Sequence, residues 1–304
     1  MSELWAATVN GLHRIGSERA HVLEGRDVAG FVTRGGGRAE RERWAIVDGR
    51  PLRQSRVSGD WEEGTTLPFP DFTARCLYAD PGAERGDLVV GTSEARLFLE
   101  AEYQFLSLEL ERAPGNGDWY TPWGGPPDVR SISRDADLTD YVNVHVGGIL
   151  RARPGGNWEP TIDINADVHQ VLAHDGLVLA ACARGLAVSR DAGDSWEFLT
   201  EGLHAPYCRA VAVSGDQILL SASTGHDSKQ AALYRMTIGG ESFERCRGLP
   251  EWFDANLDTF WLAADGAAAA LATPDGTVFV SDDEGGSWSP AAEGLPGIRA
   301  VAFL

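Results

Sequence analysis

The chain has 304 residues, 43% of them hydrophobic, and 45 acidic against 26 basic side chains give it a net charge of −19. That apolar content excludes a disordered polymer, which is too poor in apolar residues to build a core. The acidic balance excludes a nucleic-acid reader, which needs clustered Lys and Arg to release counterions, and speaks against docking on anionic lipid.

Met1-Ser2-Glu3-Leu4-Trp5 has neither the basic nor the apolar part of a secretory signal. No run of about 18 apolar residues occurs that would span a membrane as a helix. Cys76, Cys182, Cys208 and Cys246 are scattered and form no CxxC pair, so a cytoplasmic protein with reduced, buried thiols is expected. Leu4–Thr8, Gly11–Ile15 and residues 20–24 read as the second, third and outer strands of a unit with no inner strand before them. Residues 28–32 then open a unit, and the polar stretch 35–43 reads as its solvated hairpin tip. Residues 74–78 open the next, in which 98–111 reads as strands around a turn. Further inner strands are expected at 129–132, 168–172, 208–213, 259–263 and 298–303. Seven units in 304 residues give about 43 each, inside the range of about 40–45 for propeller blades. The last of these strands has nothing after it, so the two ends are expected to complete one blade together. One domain over residues 1–304 follows.

Two segments repeat. Ser189-Arg190-Asp191-Ala192-Gly193-Asp194-Ser195-Trp196 and Ser281-Asp282-Asp283-Glu284-Gly285-Gly286-Ser287-Trp288 both read S-x-D-x-G-x-S-W. Each follows a short apolar run and precedes Glu-Gly-Leu. The chemistry is that of a hairpin turn: Asp and Ser cap backbone N–H groups, Gly takes a positive φ, and Trp packs at the start of the next strand. Looser copies end at Trp158 and Phe243, with faint ones at Asp60-Trp61 and Asp118-Trp119.

These segments resemble the Asp-box (BNR) repeat of sialidases, of the sortilin ectodomain and of photosystem assembly propellers. The resemblance implies an all-β, seven-bladed propeller, with the box on the turn between third and outer strands, away from the usual functional face. Ser189, Asp191, Gly193, Trp196, Ser281, Asp283, Gly285 and Trp288 are then structural. The sialidase Arg-Ile-Pro motif does not occur, since Arg14-Ile15 is followed by Gly16. The family's arginine triad is therefore not carried over, and sialidase activity is not expected.

In a propeller, the start of each inner strand and the end of each second strand open on one face. Register counting gives Ala29, Arg75, Arg130, His169, Arg209, Thr259 and Arg299 for the first set. The second set is Thr8, Asp48, Thr92, His145, Cys182, Ser223 and Thr273. Arg75, Arg130, Arg209 and Arg299, with Tyr207, are candidate ligand-binding residues, because convergent guanidiniums suit carboxylate, phosphate or sulfate. The alternative is that each Arg pairs with a nearby acid such as Asp128, Asp167 or Asp258. His145, His169 and His204, with His226 nearby, are candidates for acid–base chemistry or for a divalent transition metal. No HxxxH or HExxH spacing supports the metal. Asp163, Asp167, Asp254 and Asp258 are candidate carboxylates, while Trp252, Phe253 and Trp261 read as wall and core.

The leading expectation is a propeller that binds, or binds and transforms, a small anionic or sugar-like ligand at the channel mouth. The alternatives are a protein-interaction scaffold and a glycoside hydrolase-like enzyme lacking the sialidase signature.

Overall fold

The computed structural model describes residues 3–34, 42–55, 57–63, 72–79, 88–101, 104–122 and 124–304. These form seven four-stranded antiparallel sheets, each ordered from an inner to an outer strand. Blade 1 joins the two ends of the chain: Ile298–Phe303 is its inner strand, followed by Leu4–Thr8, Gly11–Ile15 and Ala20–Val22. Blades 2 to 7 begin at Val28–Arg34, Ala74–Ala79, Val129–Arg134, Val168–His174, Tyr207–Ser214 and Leu262–Asp265. Each inner strand packs on the next, and that of blade 1 packs on those of blades 7 and 2, which closes the ring. Among the described residues no helix is long and apolar enough to cross a membrane.

Burial explains the strand sequences. A second strand is covered on both faces by neighbouring blades, so it reads as a continuous small or apolar run. Leu88–Thr92 and Leu4–Thr8 are buried throughout. Gly91 sits where a Cβ would meet Val129 Cγ1 at 2.5 Å and Cys76 Sγ at 2.6 Å, so only glycine permits that approach of blades 3 and 4. Outer strands such as Trp61–Glu63 and Glu244–Arg245 are very short, which limits edge-to-edge pairing with other molecules.

Both S-x-D-x-G-x-S-W segments form the same turn between third and outer strands. Ser195 donates to the Asp191 carboxylate through its N–H (2.8 Å) and its hydroxyl (2.6 Å), and Ser287 does the same to Asp283 at 2.8 and 2.7 Å. Gly193 N–H donates to Ser189 Oγ at 2.7 Å, and Gly285 N–H to Ser281 Oγ at 3.0 Å. The hydrogen bonds from Ser195 and Ser287 hold Asp191 and Asp283 down at about 2. Trp196 Nε1 donates to Thr161 O and Trp288 Nε1 to Gly285 O. Trp158 and Phe243 also lie between third and outer strands.

Some expectations shift. The inner strand of blade 7 starts at Leu262, because 259–261 make a turn in which Trp261 N–H donates to Asp258 O and Phe260 has φ 67°. The outer strand of blade 1 ends at Val22. Asp118-Trp119 follows the outer strand of blade 3, on the way to blade 4, so it is not a copy of the turn. Residues 98–111 do make two strands, Leu97–Ala101 and Gln104–Ser107, and then a 3-10 turn. Of the expected hairpin tip, 35–41 lie outside the described residues, and Glu42 and Arg43 begin a strand.

Candidate functional site

One axial end of the channel opens as a cavity of about 740 Å³. A repeated backbone device supplies its side chains. In blades 2 to 5, residues Ala29, Arg75, Arg130 and His169 each stand as an extra residue in the inner strand, opposite no partner of their own. Arg209 lies in the equivalent bulge of blade 6, and Arg299 in that of blade 1. A β-bulge re-aims a side chain by removing it from the ladder. Here it sends the side chain toward the axis. All six line the mouth, as does Thr259 from the turn before blade 7.

The opposite set behaves differently. Thr8, Thr92, Ser223 and Thr273 turn back onto the backbone of their own hairpins, for example Thr273 Oγ1 to Thr277 O at 2.9 Å and Thr8 Oγ1 to Gly11 O at 3.0 Å. They cap turns and do not line the mouth. Asp48 accepts from Arg26 and from Asp27 N–H. Cys182 is fully buried, and burial pushes its thiol up to about 12. Only His145 of this set lines the mouth.

The arginines form clasps between blades. Arg75 of blade 3 meets Asp128 at 2.9 Å, in front of blade 4. Arg299 of blade 1 meets Asp27 at 3.1 Å, in front of blade 2. Arg209 of blade 6 meets Asp258 at 3.1 Å, in front of blade 7. Arg130 lies 3.8 Å from the same Asp258 oxygen. Each of the four guanidiniums therefore has a carboxylate beside it, as the pairing alternative anticipated.

A hydrogen-bonded chain runs inward from Arg209. Its guanidinium donates to the Tyr207 oxygen at 3.4 Å, and the Tyr207 oxygen lies 3.1 Å from His169 Nε2. His169 Nδ1 lies 2.7 Å from Cys208 O. A carbonyl only accepts, so Nδ1 carries the proton and Nε2 receives the Tyr207 hydroxyl. His145 Nε2 faces Arg130 Nη1 at 3.4 Å. Guanidinium only donates, so that nitrogen is the acceptor. Thr259 Oγ1 bridges the blades with bonds of 3.2 Å to both His169 O and Arg209 O. Phe260, with Ala29 and Arg75, borders both the mouth and the lower channel of about 530 Å³, and marks the floor between them.

Burial dominates the electrostatics. His169 is 1% exposed. Burial, then Arg130 and Arg209, hold its imidazole far below the ordinary range. The same causes push His145 down to about 4. Burial raises Asp167 and Asp128 against the pull of the arginines, and lowers Arg130. Burial also opposes the charge on Arg209, but Asp258 and Tyr207 outweigh it and raise that group. Both histidines are therefore neutral at pH 7, whereas unfolded histidine titrates near about 6.5. For His145, between about 4 and 6.5 the unfolded chain binds the extra proton, so its contribution is full above that window and is lost as pH drops through it. Urea unfolding at a series of pH values is expected to show a loss from pH 7 to pH 5 that is smaller in His145→Gln by about 1–2 kcal/mol. A flat profile rejects a neutral, buried His145.

The remaining candidates lie elsewhere. His204 is held by Tyr234 Oη at 2.8 Å and Gln230 O at 3.1 Å and packs on Trp252, outside the mouth. It does not join His145 and His169, and among the described residues no group of three or more His, Cys, Asp and Glu is placed to hold a metal. Both ring nitrogens of His204 already have partners, so the metal set expected from sequence is not assembled. Asp163 caps the 3-10 turn at Asn165, and Asp254 is exposed outside the mouth. Asp167 and Asp258 line the mouth with Tyr207 and His226. Trp252, Phe253 and Trp261 belong to hydrophobic clusters.

No family model and no curated protein matches the chain. Solved structures do. The WD40 repeats of RRP9 align with a TM-score of 0.63 at 14% identity, over 98% of this chain and 88% of that one. A computationally designed protein gives 0.60 at 13%, over 98% and 90%. A chain of the mitotic checkpoint complex gives 0.62 at 10%, over 89% and 83%. At these identities the likeness concerns the fold: this chain is a seven-bladed β-propeller similar in shape to WD40 propellers.

Proposed function

We propose that this chain is a ligand-binding propeller that takes up a small polar molecule at the channel mouth. One observation carries the reading: bulges in six blades aim Ala29, Arg75, Arg130, His169, Arg209 and Arg299 at one cavity of about 740 Å³. That volume is in the range of small-molecule sites, about 300–1,000 Å³. Arg75, Arg130, Arg209, Arg299 and Tyr207 are the binding residues of this reading, and neutral His145 and His169 are its candidates for proton transfer. The two S-x-D-x-G-x-S-W turns support placing the chain among Asp-box propellers.

A thermal-shift screen of small polar metabolites tests it. At least one is expected to raise Tm by about 5 °C near saturation, and Tyr207→Phe and His145→Ala are expected to remove the shift while leaving the apo protein folded by circular dichroism. No shift anywhere in the screen, or a shift kept by both variants, rejects the mouth as the site. Proton NMR of the same mixtures reads turnover.

The second reading is an interaction scaffold. It is supported by the likeness to the WD40 repeats of RRP9 and to a chain solved within a mitotic checkpoint complex. Against it, the exposed large hydrophobics among the described residues, Val9, Val57, Leu106, Tyr120 and Leu138, fall on different blades and connections.

A further inference from the structure

The charge balance of the mouth narrows its ligand. Arg130 and Arg209 are 21% and 15% exposed, and both face Asp258, with Asp167 lining the same wall. Arg75 and Arg299 are neutralised by Asp128 and Asp27. No guanidinium of the ring is left as surplus positive charge. An entering carboxylate or phosphate meets Asp167 and Asp258 as like charges and has to displace Asp258 from its two arginines. An entering ammonium meets Arg130 and Arg209. A group without net charge meets neither penalty.

Hydroxyl groups suit what remains. Asp167 Oδ1 and Arg209 Nε are buried and have no hydrogen-bond partner, an acceptor and a donor in one wall. Such atoms are rare and call for a missing partner. Both residues line the cavity. A hydroxyl both donates and accepts, so neighbouring hydroxyls can serve a carboxylate and a guanidinium at once. The Phe260 ring and Pro122 supply apolar surface for C–H faces.

We infer that the mouth takes an uncharged, hydroxyl-rich small molecule, a polyol or monosaccharide, in preference to an anion. This rests on the reading of the mouth as a binding site.

Calorimetric titration of the intact wild-type protein tests it with probes that share a skeleton and differ in charge: glucose and myo-inositol against glucuronate, glucose 6-phosphate and glucosamine. The neutral probes are expected to bind at least about tenfold more tightly than the charged ones. Their Kd should be unchanged between about 0.05 and 0.5 M salt, because no ion pair is screened. Glucuronate or glucose 6-phosphate binding as tightly as glucose, and weakening with salt, overturns the inference; if Tyr207→Phe also abolishes that binding, the mouth stands as the site. Binding by none of the probes overturns the inference as well, and the metabolite screen then decides the mouth separately.

Discussion

A chain ended after Gly297 is expected to lose cooperative thermal unfolding. The deleted Ile298–Phe303 is the inner strand of blade 1, paired along Leu4–Thr8 and packed on blades 7 and 2. Ile298, Ala300 and Val301 are buried, and Phe303 and Leu304 pack against neighbouring clusters. At about 1.5–3 kcal/mol per buried aliphatic or aromatic side chain, the loss is about 5 kcal/mol. That equals the whole stability of many domains, about 5–15 kcal/mol. The deletion also bares the edge of Leu4–Thr8 along the channel. A permuted chain gives the control. Glu3 N–H donates to Leu304 O at 2.9 Å, and Leu304 N–H to Glu3 O at 2.8 Å, so a two-residue Asn-Gly turn can join these ends as a hairpin. A protein starting at Gly297 and joined in this way is expected to melt within about 5 °C of the parent. Calorimetry reads both. A truncated chain with the parental Tm shows that closing the ring contributes nothing.

Asp258→Asn is expected to create an anion site where the parent has none. The amide keeps the oxygen that accepts from Thr259 N–H at 3.0 Å, so the turn survives. The charge shared by Arg130 and Arg209 disappears, and those two side chains are left beside Asp167. Breaking a buried ion pair costs about 3–5 kcal/mol. Asp258 is 39% exposed, so screening reduces the expected loss to about 2 kcal/mol. Sulfate should restore it, raising Tm of the variant by several degrees more than chloride at equal ionic strength while leaving the parent almost unmoved. An equal response of both proteins rejects the balanced-charge picture of the mouth.

Much of the architecture is legible in the residues. The paired S-x-D-x-G-x-S-W turns and the spacing of apolar runs lead to seven blades and to a blade built from both ends. The mouth residues also follow from register counting, although a bulge lies at every one of those positions in six blades. Counting succeeded because the irregularity recurs at the same place in each unit. In blade 7 it still places Thr259 at the mouth, although a turn at Phe260 stands there instead of the bulge. It places His145 at the mouth but fails at Thr8, Thr92, Ser223 and Thr273, because a short Thr or Ser hydroxyl finds its own hairpin carbonyl before it reaches the axis. His204 illustrates a second limit: its partners Tyr234 and Gln230 lie 30 and 26 residues away, and no local pattern announces them. The pairing acids Asp128, Asp167 and Asp258 are legible in the sequence, and the spacing of the first two also points to Asp27. Asp27-Val28-Ala29, Asp128-Val129-Arg130 and Asp167-Val168-His169 place an Asp two residues before a mouth position, and Asp258 directly precedes the mouth residue Thr259. That recurrence marks the acids that neutralise the arginines.

The inserted residue of each bulge belongs to no ladder and lines the axis. Its identity is thus uncoupled from the backbone pairing within its own blade. Ala29 shows that the position tolerates a side chain of a single carbon, while its counterparts carry guanidinium or imidazole. Natural drift or a laboratory library can rewrite the chemistry around the axis one unit at a time, with the core untouched, so new specificities are reachable on this scaffold by single exchanges.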